Sequence, residues 1–138
     1  MVQNIDEIEY LYSLSRFGIK LGLDVMKELS GRIGNPQDFY RTFHITGSNG
    51  KGSTSAMLYT ILKQKFSVGL YTSPHIKIFN ERIIVNDRYI EDDYIKRWVN
   101  EKKQIITDMA KSGMQPTFFE FTTAMAFDYF KEKNVDAA

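Results

Sequence analysis

Residues 43–54 read FHITGSNGKGST. Apolar, strand-forming residues run into Gly47, Gly50, Lys51 and Gly52, then into Ser53, Thr54 and a helical pattern. A strand that feeds a glycine-rich turn and then a helix makes an anion site. The first amides of the helix lack partners, and its positive dipole end faces the turn. Glycines let the backbone approach phosphate oxygens with no Cβ in the way. Lys51 supplies a point charge for terminal phosphates, and Ser53 or Thr54 can reach Mg²⁺ or a phosphate oxygen. The spacing departs from the usual phosphate loop, which wants glycine five positions before the Gly-Lys pair. Ile45 stands there, and Gly52 separates Lys51 from the hydroxyl residues. The plain alternative is a βα turn with an exposed lysine. Three glycines beside Lys-Gly-Ser-Thr weigh against it.

Outward from the loop, residues 40–46 are rich in β-branched and aromatic types and predict a buried strand. Residues 53–65 predict a helix, and 66–73 (FSVGLYTS) the next strand. A strand–helix–strand unit of about thirty residues suits a parallel crossover. Upstream, Ile5, Ile8, Leu11, Tyr12 and Leu14 recur at helical spacing. Gly18 and Gly22 break the pattern. Asp24 is expected to cap a short helix over 25–29, which Gly31 and Gly34 would end. Downstream, Ile83, Ile84 and Val85 precede Asn86-Asp87, with Tyr89 and Ile90 beyond, a hairpin pattern. Residues 91–111 carry an amphipathic stripe of Ile95, Trp98, Val99, Ile105, Ile106 and Met109. Residues 118–133 predict a further helix, apolar around much of its circumference. The last residues, NVDAA, resemble the start of another buried strand, so a piece of a longer protein is expected. The predicted fold class is α/β: a partial P-loop-type, three-layer nucleotide-binding domain, its sheet mainly parallel and flanked by helices, with a small hairpin.

The 138 residues are 43% hydrophobic and 25% charged, the balance of a globular domain. Net charge is +1, from 18 basic and 17 acidic residues, so no single-sign field favours nucleic acid. There is no cysteine, which removes disulfides, thiolate metal sites and cysteine nucleophiles. No apolar run nears the roughly 18 residues of a membrane span. The opening MVQNIDEIEYLYSLSR carries early acids and is unlike a signal peptide. A cytoplasmic protein with neither nucleic-acid nor membrane partners is expected.

Four stretches together resemble one family. HITGSNGKGST (44–54) resembles the nucleotide loop of the folylpolyglutamate and dihydrofolate synthases, members of the Mur ligase superfamily. In that family the loop is short, with a glycine between the lysine and the hydroxyl residue. GIKLGLDVM (18–26) resembles the segment before that loop. YTSPHIKIFNERIIVN (71–86) resembles its Ser-Pro-His and Asn-Glu-Arg-Ile stretch, and PTFFEFTTAMAFDYF (116–130) its Phe-Glu helix start. The order and spacing match over nearly the whole chain.

The resemblance implies an ATP-dependent amide ligase. ATP would phosphorylate a carboxylate of a folate or dihydropteroate, and the amine of L-glutamate would displace phosphate from the acyl phosphate. It implies that Gly47, Ser48, Asn49, Gly50, Lys51, Gly52, Ser53 and Thr54 bind ATP, with Lys51 on the terminal phosphates. It implies Ser73 as a Mg²⁺ ligand. Leu21, Gly22 and Leu23, with Thr117, Phe118, Phe119 and Glu120, would line the pteridine pocket. His75, Asn80, Glu81 and Arg82 would lie on a loop over the site, where Lys51, His75 and Arg82 are the catalytic candidates.

Each assignment has a plainer counterpart. His75 fits a surface loop, and His44 a core position in its strand. Arg82 can pair with Glu81 or Glu91 on the surface. Glu120 can complement a helix dipole. Phe118, Phe121, Phe127, Phe130 and Trp98 fit core packing, and Lys131 and Lys133 fit solvated charges. By resemblance a further metal-binding Glu, a His and a modified Lys lie downstream. The chain is therefore expected to be the N-terminal part of an ATP-binding domain that binds nucleotide and does not catalyse. A Mur-type ligase of cell-wall precursors and a freestanding nucleotide-binding domain are the alternatives. First-glutamate addition, tail extension and the oligomeric state stay open.

Overall fold

The computed structural model describes residues 6–17 and 22–138. Five helices and three strands follow in order. They are α1 (Asp6–Ser13), α2 (Asp24–Arg32), α3 (Lys51–Leu62), β1 (Gly69–Tyr71), β2 (Ile83–Val85), β3 (Arg88–Tyr89), α4 (Asp92–Lys111) and α5 (Phe118–Glu132). None of these helices is long and apolar enough to cross a membrane.

The core forms around α5. Thr117 and Glu120 build its capping box, in which Thr117 Oγ1 accepts from the Glu120 amide at 3.3 Å. The Glu120 carboxylate accepts from the Thr117 amide at 2.9 Å. Such a box satisfies two amides that the helix start leaves open. Phe121, Ala124, Met125, Tyr129 and Phe130 are buried along α5. Phe121 meets Tyr10 of α1 edge-on at 6.4 Å and Trp98 of α4 at 4.8 Å. The stripe on α4 is largely as the periodicity predicts, with Ile95, Trp98, Val99, Ile106 and Met109 all buried. Trp98 also donates its indole N–H to Asp128 at 2.7 Å. Gly69 lies so close to Phe130 that an added Cβ would sit 2.5 Å from the ring. Only glycine lets β1 rest on α5 there.

The hairpin forms where the sequence places it. Asn86 and Asp87 both take positive φ, 47° and 66°, as a tight turn of this hand requires. Val85 pairs with Arg88 across it, and Gly69 with Val85 on the other side. The Asp87 carboxylate takes Lys63 Nζ at 2.6 Å and so ties the end of α3 to the hairpin.

Three expectations need correction. The sheet is not mainly parallel: β1, β2 and β3 form an antiparallel sheet in that order. Among the described residues, parallel pairing is limited to single bridges from Ala137 to Arg41 and to Val68. The hairpin occupies one edge of β1, and the 137 segment meets the other edge for one bridge only. Residues 40–46 do not form a buried strand. Arg41 makes the bridge, Phe43 donates its amide to Ala138 at 2.8 Å, and residues 42–44 are exposed. Strand propensity needs a neighbour along the whole segment before it becomes a ladder, and here only its first residues have one. Asp24 is not a cap; Leu23 occupies that position and makes no side-chain cap.

Candidate functional site

Helix α3 begins at Lys51, two residues ahead of the expected start. Its cap is Gly50, at φ 75°, with no side-chain hydrogen bond to the first amides. Gly47 also takes a positive φ, 151°. A Cβ at Gly50 or Gly52 would meet nothing within 4 Å. The glycines therefore face open space, and an uncapped, positive helix end opens onto it. Lys51 Nζ folds back and donates to the Gly47 carbonyl at 2.7 Å, which closes the loop on itself. Gly47 to Thr54 are all exposed.

The same helix walls an apolar groove of about 1010 Å³. Ser55 and Leu58 of α3 face it, and so do Gly22, Leu23, Thr117, Phe118, Phe119 and Glu120. The two segments singled out for a flat heterocycle, nearly a hundred residues apart, thus line one cavity. Leu21 lies outside the described residues. Phe119 is 55% exposed and stacks on Tyr71 at 6.2 Å. His44 lines this groove as well. Its expected place in the core fails because residues 42–44 are uncovered. Thr117 and Glu120 spend much of their hydrogen-bonding capacity on the helix cap. Phe118 and Phe127 are half-buried rather than core.

A second cluster adjoins the groove through Phe118. Arg82 is buried, 7% exposed, and does not pair with Glu81 or Glu91. Its Nε donates to His75 Nδ1 at 2.8 Å. Its guanidinium lies 5.2 Å from the Phe118 ring centre and 6.0 Å from that of Phe79. His75 Nε2 meets the Tyr12 hydroxyl at 3.1 Å. Because an arginine N–H only donates, Nδ1 must accept. The proton of the neutral ring then sits on Nε2 and donates to Tyr12. Glu81 turns the other way. Its carboxylate accepts from the amides of Ile76 at 2.7 Å, Lys77 at 3.1 Å and Ile78 at 3.2 Å. Those amides hold its pKa below the usual carboxylate value. Asn80 is buried and donates to the Ile90 carbonyl and to Asp92, which fixes the loop to the hairpin and to α4.

Burial first, and then the Arg82 charge, lowers the His75 pKa from 6.5, while Glu81 opposes them. The unfolded chain therefore takes up this proton before the folded one does. The neutral ring's contribution is complete above about pH 6.5 and is lost as the pH falls from there toward the lower folded value. Urea midpoints measured from pH 7.5 to pH 5 should fall more steeply for the unaltered chain than for His75→Gln. Equal slopes would show that His75 is not held neutral.

No family model matches the chain. The dihydrofolate synthase/folylpolyglutamate synthase of Bacillus subtilis is 43% identical over 130 residues, covering 92% of this chain and 30% of that protein. The crystal structure of the folylpolyglutamate synthase of Thermotoga maritima matches with a TM-score of 0.84 and 41% identity, over 96% of this chain and 32% of that one. This chain belongs to the folylpolyglutamate/dihydrofolate synthase family. An FPGS–AMPPCP–folate complex matches with a TM-score of 0.82 and 33% identity, over 96% of this chain and 33% of that one. The chain spans about one third of the length of these synthases.

A metal site is less complete than the glycine loop. Ser73 is exposed and offers one neutral oxygen. Among the described residues no group of three or more His, Asp or Glu is placed to hold an ion. Mg²⁺ wants about six oxygens, so these residues do not by themselves make its site. Sequence reasoning missed Tyr12 as a polar partner. It reads as one more member of the apolar stripe of α1, and its contact, His75, lies 63 residues away.

Proposed function

We propose that the chain is the nucleotide- and folate-binding part of an ATP-dependent ligase that joins L-glutamate to a folate or dihydropteroate. The observation that carries this reading is the uncapped start of α3, with Gly47, Gly50 and Lys51 around it, on the helix that also walls the apolar groove. The FPGS–AMPPCP–folate complex supports both ligand classes. Residues 47–54 would cradle the ATP phosphates, with Lys51 leaving the Gly47 carbonyl to meet them. The groove would take the flat pteridine against Phe119 and Leu23. A carboxylate is a poor electrophile until its oxygen can leave. Phosphoryl transfer to it is mostly positioning and charge neutralisation, and the glutamate amine would then displace phosphate. Arg82 would steady the anion that forms. Mg²⁺ would arrive on the ATP phosphates, with Ser73 as the protein oxygen offered to it.

The finer fold belongs to the same proposal. The bridges from Ala137 to Arg41 and Val68, both parallel, support a P-loop-type, three-layer domain of the Mur ligase kind. ATP dependence favours the cytoplasm. A Mur-type ligase of cell-wall precursors gains no support from the relatives. The 138-residue chain alone should bind nucleotide without turnover, because it spans about a third of its relatives and gathers, among the described residues, no acidic cluster for the metal. An assay with ATP, Mg²⁺, L-glutamate and dihydropteroate or a reduced folate checks this. Turnover at the rate of a complete synthase would overturn it.

In the full-length protein, Phe119→Ala should weaken folate or pteroate binding by on the order of 0.5–1.5 kcal/mol, the value of an aromatic stack. ATP affinity should hold, since the phosphate loop is built elsewhere. Calorimetric titration with each ligand tests the reading. A loss confined to ATP would contradict it.

A further inference from the structure

We propose that Tyr12 is a positioning residue: through His75 it holds the guanidinium fork of Arg82 as a fixed receptor for a substrate oxyanion, and His75 is the link rather than a proton shuttle. The identity of that oxyanion rests on the ligase reading; the receptor itself does not.

Arg82 is an unusual cation. It is 7% exposed, yet among the described residues no carboxylate pairs with it. Its Nε is taken by His75, and its two terminal nitrogens have no protein partner there. Burying a charge is costly unless something answers it. The faces of Phe118 and Phe79 answer part of it. A desolvated guanidinium with free, forked donors is suited to a carboxylate or phosphate, which it can grip through two N–H groups at once.

The fork is held from several sides. Tyr12 stacks on Phe118 at 5.3 Å with the rings 13° apart. Phe118 lies against Arg82, Arg82 bonds His75, and His75 bonds Tyr12. These four side chains close a circuit that joins α1, the 75–82 loop and the start of α5. Glu81 pins the backbone of the loop at residues 76–78, so His75 cannot drift. Both nitrogens of His75 are engaged, whereas a proton shuttle needs one within reach of the reacting group. Nδ1 must accept, and Tyr12 takes the proton-bearing Nε2. Arg82 thus fixes the tautomer, and the Tyr12 hydroxyl, able to accept as well as donate, anchors the ring at its far nitrogen.

The test uses the 138-residue chain labelled with ¹⁵N-arginine, and follows the Nε–H resonance of Arg82 by NMR. Inorganic phosphate and acetate serve as separate probes. In the unaltered chain both should shift the Arg82 signal saturably. The tighter probe identifies the source, a phosphoryl group or a substrate carboxylate. Tyr12→Phe keeps the stacked ring and removes the hydroxyl. It should move the Arg82 Nε–H signal and lower anion affinity by about three- to tenfold, the span of one net hydrogen bond. His75→Gln, which keeps an acceptor for Arg82, should retain more affinity than His75→Leu. The proposal fails if neither anion moves the Arg82 signal, if Tyr12→Phe matches the unaltered chain, or if Gln and Leu at position 75 behave alike. ATP titration of the unaltered chain reads the ligase proposal separately, since the Arg82 signal requires no nucleotide.

Discussion

Replacing Lys51 by alanine is expected to weaken ATP binding by about ten- to 150-fold, the equivalent of 1.5–3 kcal/mol for a lost charge-assisted contact. Lys51 is exposed and, among the described residues, donates only to the Gly47 carbonyl, so the folded chain spends little on it. Its ammonium can exchange that carbonyl for a phosphate without disturbing the core. The glycines at 47, 50 and 52 would be unchanged in the variant, so the amides at the start of α3 would still meet the phosphates. A residual affinity is therefore expected, carried by the helix end. Alanine is also a good residue for the first turn of a helix. Stability should change by no more than about 0.5 kcal/mol, as for most exposed sites. Calorimetric titration of both proteins with ATP, beside their urea midpoints, separates the two effects. Equal ATP affinities would remove Lys51 from the site and leave the loop as an ordinary turn.

What the sequence made legible was local or periodic. The α4 stripe and the Asn86-Asp87 turn depend on spacing and on backbone preferences within a few residues, and both formed as expected. The glycine turn was legible as a turn for the same reason: Gly47 and Gly50 take positive φ and α3 starts at Lys51, all within one short stretch of backbone. Residues 40–46 mark the opposite case. Their composition suits a buried strand, but burial depends on what lies over them, and neither Phe43 nor His44 is covered. The direction of the sheet was likewise set by pairings between distant segments. Glu81 and Arg82 are adjacent in sequence and invite pairing with each other or with nearby charges. Instead the loop curls so that Glu81 reaches three amides behind it, while Arg82 is drawn among Phe118, Phe79 and His75. No property of residues 81–82 alone reveals that choice. Tyr12 was hidden for a related reason: an amphipathic ring on an apolar stripe shows nothing of where its hydroxyl will point.

The largest loss of stability is expected at Phe121, where substitution by alanine should cost about 3–5 kcal/mol. The ring is fully buried on α5 and meets Tyr10 of α1 and Trp98 of α4. Its removal would open a cavity where three helices meet. Trp98 is tethered to Asp128 by its indole N–H and Tyr10 is anchored on α1, so the walls can collapse only in part. Domains of this kind have about 5–15 kcal/mol in total, so the variant would be near its unfolding threshold at room temperature. The consequence for the site is specific. Tyr10 shares α1 with Tyr12, and Phe121 is what Tyr10 packs against. Loosening that contact should free α1 before the α3 loop, because α3 is tied to the hairpin through Asp87 instead. Hydrogen exchange on Phe121→Ala should therefore show amides of α1 losing protection ahead of those in α3, alongside a large drop in the urea midpoint. A drop below about 1 kcal/mol, the ordinary cost of a substitution, would mean that α5 does not bind α1 and α4 together as described.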